Sequence, residues 1–339
     1  MLLTAGFRIF TQSPAGVSRL RKMLAPATVL AANTALPPAE ENPMPQATEV
    51  LGQFIPLHYH FEMLRDSYRM KSFREAIEAT VRPGDKVVDL GGGTGILSFF
   101  AARAGAEVWY CERNPELVAA AEKMIRANNV SEQIHIVHAD AAEFAPPVPV
   151  DAVVCEMLHV GLLREKQIQV ISAFHDNYRA AHGPKLPRFI PEGTMLACQP
   201  VEQNFEFEGY LAAGPLFQAP ADQHDDTQPL AEAAVHHMVW YDKPLRSDIA
   251  WSGKFEIAES GIMNAVRFIT KNALTVLLEE QRVVPWHNQF LVMPLDRPQQ
   301  VEQGDVVEVS FRYEAGGELS QLAATLQAVR TGERRTQAA

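Results

Sequence analysis

Cysteine is scarce in this chain of 339 residues: Cys111, Cys155 and Cys198 are the only three, and no two form a CxxC pair. That spacing argues against both a cysteine-pair zinc site and a disulfide scaffold, so no metal is expected. Each of the three lies in an apolar run and reads as a reduced core residue of a reducing compartment. Basic charge is also in short supply. Lysine and arginine number 30 against 41 acids, for a net charge of -11. Such a chain is poorly suited to neutralising phosphates, and no nucleic-acid partner is expected; a cationic substrate suits it better. No run of 18 or more apolar residues occurs, which argues against a membrane span. No internal repeat is present. What the chain does have is length for two domains and 47% hydrophobic residues to build their cores.

Acids are missing from the first 39 residues, which carry Arg8, Arg19, Arg21 and Lys22 before Glu40. This start reads as a basic arm, with an organelle transit peptide as the alternative to a cytoplasmic location. The prolines of "ALPPAEENPMP" (35–45) make the next stretch a linker.

From about Val50 to Phe189 helical and strand patterns alternate. His60 to Ala79 places Phe61, Leu64, Tyr68 and Phe73 at helical spacing, and "KVVDL", "EVWYCE", "IHIVHAD" and "VDAVVCE" read as short buried strands. Asn114 and Pro115 are helix-start signals. This order predicts a mostly parallel sheet covered by helices. Beyond "PRFIPEG" (187–193), runs such as "TMLACQPV", "AAVHHMVWY" and "DVVEVSFRYEA" predict antiparallel strands in a barrel or sandwich. Between them, residues 207–233 read as an insertion with some helix.

The loop "DLGGGTG" (89–95) decides the ligand class. A dinucleotide fingerprint needs a third glycine where Ile96 stands, and a phosphate-binding P-loop needs a lysine that is absent. What remains suits a ligand without phosphate. Gly91, Gly93 and Gly95 allow close backbone approach. The helix start favours a ligand carboxylate, and Asp89 can hold an ammonium group. Glu112, at the end of the next strand, can accept from ribose hydroxyls. Asp140, in "HAD", suits the end of the third strand, with Glu143 as the alternative. Glu156 follows the fourth strand and Glu165 comes nine residues later. On a continuous helix these two would point oppositely. If Met157 to Leu163 turn back, as Gly161 permits, they form a socket for one planar cation.

Four stretches together resemble the protein arginine N-methyltransferases, a class I S-adenosylmethionine-dependent family, over roughly residues 54–320. They are "HFEMLRDSYRMKSFREAI", "DLGGGTGILSFFAARAGA" with "CE", "CEMLHVGLLRE", and "VVPWHNQFLVMPL" with "VEQGDVVEVSF". The resemblance implies an α/β fold: a Rossmann-like domain followed by an antiparallel β-barrel-like domain with a helical insertion. Its expected bounds are an arm and linker at 1–45, the S-adenosylmethionine-binding domain at 46–190, the second domain at 191–330 and a tail at 331–339. It implies S-adenosyl-L-methionine as cofactor, with Arg69 on its carboxylate, Met63 near its methyl, and Phe54 aligned with a covering tyrosine. Glu156 and Glu165 would hold a guanidinium, assisted by Asp66 and His287. Trp286 and His159 would face substrate. Pro285 stands where the family has its loop histidine, so His287 is displaced by a residue or two, and "MLHVGLL" lacks the usual Trp-Met-Gly-Tyr character. The implied acceptor is an arginine-containing protein or peptide, or else a small molecule. The implied assembly is a homodimer docked through Phe207, Tyr210, Leu211, Leu216 and Phe217. A non-catalytic binding subunit is the remaining reading.

Overall fold

The computed structural model describes residues 55–220 and 224–332. The basic arm, Phe54 and the last residues of the tail lie outside that range. The first part is an α/β layer. Helices α1 (Leu57–Arg65) and α2 (Ser67–Thr80) lead into β1 (Lys86–Leu90), α3 (Ile96–Arg103), β2 (Glu107–Glu112), α4 (Pro115–Ala127), β3 (Ile134–His138) and β4 (Ala152–Cys155). Then follow α5 (Gln167–His182) and β5 (Arg188–Ile190). The five strands pair in parallel, in the order β3-β2-β1-β4-β5. Strand β1 therefore lies between β2 and β4, where the chain order reverses. Ligands of open α/β sheets bind at such a point, beyond the carboxyl ends of the strands. The glycine loop, Glu112, Asp140 and Glu156 all follow those ends.

Local chemistry explains these elements. Val87, Val88 and Leu90 are fully buried, as a central parallel strand requires. Asn114 caps α4 by accepting from Glu116 N at 2.9 Å, with Pro115 in the first turn. The single amino-terminal helix expected from the pattern is instead two. Asp66 breaks it, leaving helical geometry (ψ 91°) while its carboxylate accepts from Arg69 N at 3.0 Å and caps α2.

The second part is antiparallel. Strands β6 (Gly193–Gln203), β7 (Glu206–Phe207), β8 (Tyr210–Leu211), β9 (Leu216–Gln218), β10 (Thr227–Pro229), β11 (Ala234–Trp240) and β12 (Asp248–Glu256) come first. They are followed by β13 (Gly261–Leu277), β14 (Arg282–His287), β15 (Phe290–Val301), β16 (Val306–Glu314), α6 (Leu319–Thr325) and β17 (Gln327–Gly332). One sheet runs β10-β6-β13-β15-β9, with β11 on β6 and β14 on β13; a second runs β12-β16-β17. The expected helix in the 207–233 insertion does not form among its described residues, which make short strands. Glu208 (φ 51°) and Gly209 (φ 85°) take the two left-handed positions of a tight hairpin turn between β7 and β8. "VVPWH", expected as a loop, is largely strand β14.

One continuous apolar core joins both parts. Helix α2 packs on β13 and β14, with the Phe73 and Trp286 rings 5.6 Å apart and Thr80 Oγ1 bonded to Thr275 Oγ1 at 3.0 Å. All three cysteines are buried and free. No described helix is long and apolar enough to cross a membrane. Phe73 is fully buried at this seam. Its replacement, Phe73→Ala, is expected to cost about 3–5 kcal/mol in urea unfolding; a loss below about 1 kcal/mol would show that the seam does not hold the two parts together.

Candidate active site

A cavity of about 580 Å³ opens over the carboxyl ends of β1, β2 and β4. Its walls include Met63, Arg69, Gly91, Gly93, Glu112, Asp140, Glu156 and Glu165. Met63 and Glu165, far apart in sequence, thus share one chamber, as the strand order requires.

The glycine loop forms the floor. Gly91, Gly93 and Gly95 have φ of 69°, 54° and 81°, all left-handed. A Cβ on Gly91 would lie 2.2 Å from Met157 Cε, and one on Gly93 would lie 3.3 Å from His60 Nδ1. The loop is held from behind by Tyr110, whose hydroxyl donates to Gly93 O at 2.7 Å. Gly95 faces Ala121 and Ile125 of α4, away from the chamber. Asp89 also stands behind the loop. It is 1% exposed, accepts from Ser98 Oγ at 2.6 Å, and is pushed up to about 6 by burial. It fastens α3 to the loop; the ammonium-holding role expected of it does not fit a carboxylate outside the cavity.

Glu112 fits its expected place better. Its carboxylate is buried and oriented by three backbone N–H groups: Arg113 at 2.9 Å, Asn114 at 2.8 Å and Gly93 at 3.2 Å. A carboxylate has about four acceptor directions, so the chain fixes this one while leaving room for a ligand hydroxyl. Asp140 accepts from Ala142 N at 2.9 Å and pairs with Arg113 at 3.3 Å. A floor of left-handed glycines beside a fixed carboxylate, with no phosphate-binding lysine, suits S-adenosylmethionine.

The opposite wall is the Glu156–Glu165 connection. It turns back through Gly161 (φ 67°), Leu162 (φ 56°) and Arg164 (φ 64°). The antiparallel part pins it at every turn. Gly161 N donates to Thr270 Oγ1 at 2.7 Å, and Gly161 O accepts from the Tyr313 hydroxyl at 2.8 Å. Asn288 Nδ2 donates to Leu158 O at 2.9 Å, and Gly316 N to Leu162 O at 2.7 Å. Gln167, fully buried, bridges the loop's start: its amide donates to Cys155 O at 2.9 Å and accepts from Met157 N at 2.8 Å. Glu156 and Glu165 consequently line the same cavity.

Arg69 lines the cavity beside them. Its guanidinium forms an ion pair with Glu156, the two side chains being 15% and 9% exposed. Burial lowers the Arg69 pKa, opposed by the charges of Glu165 and Asp66. Burial likewise raises Glu165, opposed by Arg69 and Arg164. Trp286 backs the guanidinium, its ring centroid 5.2 Å from Arg69 Cζ. Trp286 is thus a buried support for Arg69 and does not line the cavity, where a substrate-facing position was expected. Asp66 is exposed and serves α2 as its cap. The His287 ring lies edge-on to Tyr68 at 6.2 Å, and His159 meets Phe217 edge-on at 5.3 Å. Burial pulls His159 down to about 4, which leaves it neutral at pH 7.

Gln167, Tyr313 and Arg164 were not singled out from sequence. Tyr313 has no signal there, since its contact lies far along the chain, and Gln167 has none because its bonds to Cys155 O and Met157 N depend on how the intervening loop turns back. Arg164 had one: a cation written directly before Glu165.

Comparison with known proteins agrees with this geometry. A family model described as "Methyltransferase domain" matches residues 87–180. A protein of Methanothermobacter thermautotrophicus with no assigned activity is 30% identical over 276 residues, covering 79% of this chain and 97% of that one. Protein arginine N-methyltransferase 1 of Schizosaccharomyces pombe is 37% identical over 131 residues, 38% of each chain. Among solved structures, the PRMT1 enzyme-prozyme heterotetrameric complex of Trypanosoma brucei with AdoHcy aligns with a TM-score of 0.63 at 18% identity, over 76% of this chain and 88% of that one.

Replacing Glu112 with glutamine keeps its shape and removes its charge. S-adenosylhomocysteine binding by calorimetry is expected to weaken about tenfold or more, the scale of one charge-assisted hydrogen bond. Unchanged affinity would remove Glu112 from the cofactor site.

Proposed function

Because the chain belongs to the class I S-adenosylmethionine-dependent methyltransferases, as a protein arginine N-methyltransferase-like N-methyltransferase, we propose that it methylates a guanidinium nitrogen held by Glu156 and Glu165. The observation that carries this reading is internal. The guanidinium of Arg69, which lines the chamber, already lies against Glu156 and within the field of Glu165.

The cofactor, when bound, supplies a methyl group on a positively charged sulfur. The chain's own residues then do three things. Glu112 and the glycine loop fix the ligand's nucleoside end. Arg69 is the cation available for a ligand carboxylate, a role that requires it to leave Glu156. The two glutamates orient a planar acceptor and polarise the nitrogen that reacts, so positioning and electrostatics lower the barrier. As that nitrogen forms its new bond, positive charge grows on the guanidinium beside the two acids. A product proton leaves afterwards, with Glu156 and Glu165 as the carboxylates within reach.

Two features support the wider assignment. The three buried thiols suit a reducing cytoplasm. The β7–β8 hairpin exposes Phe207, Tyr210 and Leu211 to 47%, 73% and 76%, an apolar tip suited to docking on a second copy in a homodimer.

Glu156→Gln and Glu165→Gln are each expected to lower kcat/KM for an arginine-bearing acceptor by at least about a hundredfold, with S-adenosylhomocysteine affinity retained. Equal methyl transfer from labelled cofactor by wild type and Glu156→Gln would end the two-glutamate reading. Because Glu165 is raised above its ordinary value of 4.5 and acts ionised, kcat/KM is expected to fall with falling pH at a midpoint above that value. Glu165→Gln should lack that limb; an identical limb in the variant would assign it to another group. Pairing Tyr210→Asp with Leu211→Glu is expected to yield monomers in sedimentation, and an unchanged sedimentation coefficient would remove the hairpin from any interface.

A further inference from the structure

Behind the Glu156 segment, buried polar side chains link into a chain that the transfer step does not itself use. At one end, Asn288 Nδ2 donates to Leu158 O at 2.9 Å. A carbonyl oxygen only accepts, so the Asn288 amide must face Leu158 with its nitrogen and keep its oxygen for another donor. That donor is Asn272 Nδ2, at 2.8 Å. Asn272 Oδ1 is then left to accept, and Thr194 Oγ1 donates to it at 2.7 Å. A threonine hydroxyl has one hydrogen, and Thr194 gives it here. The contact between Thr194 Oγ1 and the Tyr241 hydroxyl, at 2.8 Å, therefore has Tyr241 as donor.

The other end fixes its polarity independently. Met157 N can only donate, and does so to Gln167 Oε1 at 2.8 Å. The Gln167 amide nitrogen consequently faces Cys155 O, at 2.9 Å. Burial raises the Tyr241 pKa, and a side-chain hydrogen bond with Gln167 opposes the rise. Gln167 thus has a second N–H for the Tyr241 oxygen, whose own hydrogen goes to Thr194. The polarity required at Leu158 agrees with that required at Met157. Gln167, Tyr241, Thr194, Asn272 and Asn288 are all buried. In a buried network no amide can turn over without leaving groups unpaired, so the chain has one orientation. Its members come from distant elements: Gln167 opens α5, Thr194 is on β6, Asn272 is on β13 and Asn288 follows β14. Register places Asn272 opposite Thr194 on one side and Trp286, the ring behind Arg69, on the other.

We propose that Tyr241, Thr194 and Asn272 are positioning residues for Glu156: with Gln167 and Asn288 they clamp the backbone on both sides of it and so fix the direction of its carboxylate. The inference rests on the two-glutamate reading of the chamber. The demand for a clamp arises when Arg69 turns to a ligand carboxylate. Glu156 then loses its partner while Glu165 lines the same cavity, and like charges repel. A backbone held at Cys155 O, Met157 N and Leu158 O keeps the carboxylate aimed until the acceptor guanidinium arrives. A misplacement of about 1 Å costs about a hundredfold in rate.

Thr194 separates this role from packing. Thr194→Val keeps the side-chain volume and removes the hydroxyl; Thr194→Ser keeps the hydroxyl and removes a methyl. Methyl transfer from labelled S-adenosylmethionine is measured with the full chain and either L-arginine or an acetylated, amidated tripeptide with a central arginine. With the better acceptor, Thr194→Val is expected to lower kcat at least about tenfold, with S-adenosylhomocysteine affinity unchanged, while Thr194→Ser retains the wild-type kcat. Tyr241→Phe, which removes only the next hydroxyl, should reproduce the Thr194→Val loss, and it carries the test alone if Thr194→Val no longer binds S-adenosylhomocysteine. Wild-type kcat in Thr194→Val and Tyr241→Phe, or a loss in Thr194→Ser as large as that in Thr194→Val, would overturn the proposal. Glu156→Gln is run beside them. Impaired transfer by Glu156→Gln with unimpaired Thr194→Val and Tyr241→Phe removes the clamp alone. Glu156→Gln equal to wild type, or no transfer to either acceptor, ends the two-glutamate reading and the clamp with it.

Discussion

Two buried carboxylates facing one chamber require a cation between them, and this requirement organises the molecule. A buried charge left uncompensated costs about 3–5 kcal/mol. Glu156 and Glu165 are brought together by a loop that turns back through three left-handed residues. Arg69 meets their need, paired with Glu156 and held over Trp286. Arg69 thus already offsets part of the charge of the two glutamates. Any other guanidinium that enters must displace Arg69 or wait until a ligand carboxylate offers it a better partner. A site built this way favours loading of the cofactor before the acceptor.

The two halves of the chain divide this work. The parallel sheet sets the cofactor floor, because its central strands end in the glycine loop and in Glu112. The antiparallel part carries none of the acids lining the chamber, yet it holds the acidic loop in shape. Thr270, Asn288, Tyr313 and the Gly316–Gly317 turn each fasten a backbone group of that loop. The second part is best understood as a brace that keeps two like charges aimed at one point. Its seam with α2, through Phe73 and Trp286, also determines where Arg69 stands.

Much of this was legible in the sequence. The parallel layer followed from alternating patterns, and Asn114 with Pro115 marked a helix start that the structure contains. The failed fingerprints around Gly91 argue against phosphate ligands from the sequence alone. The nine-residue spacing of Glu156 and Glu165 correctly required a reversal, which Gly161 opens. Three expectations failed for local reasons. Asp66 interrupts a continuous apolar pattern because its side chain competes for backbone N–H groups. The 207–233 insertion folds as strands because Glu208 and Gly209 form a tight turn. Asp89 serves Ser98 because a carboxylate at that depth needs a donor more than a ligand does. The contact of Tyr313 could not be read, since it depends on a strand far along the chain, and those of Gln167 depend on how the loop after β4 turns back.

The most direct test is a crystal structure of the protein with S-adenosylhomocysteine and guanidinium ion. Arg69 is expected to leave Glu156, and a guanidinium to lie between the carboxylates of Glu156 and Glu165. Carboxylates pointing to opposite faces, or a guanidinium bound only elsewhere while the socket stays accessible, would contradict it.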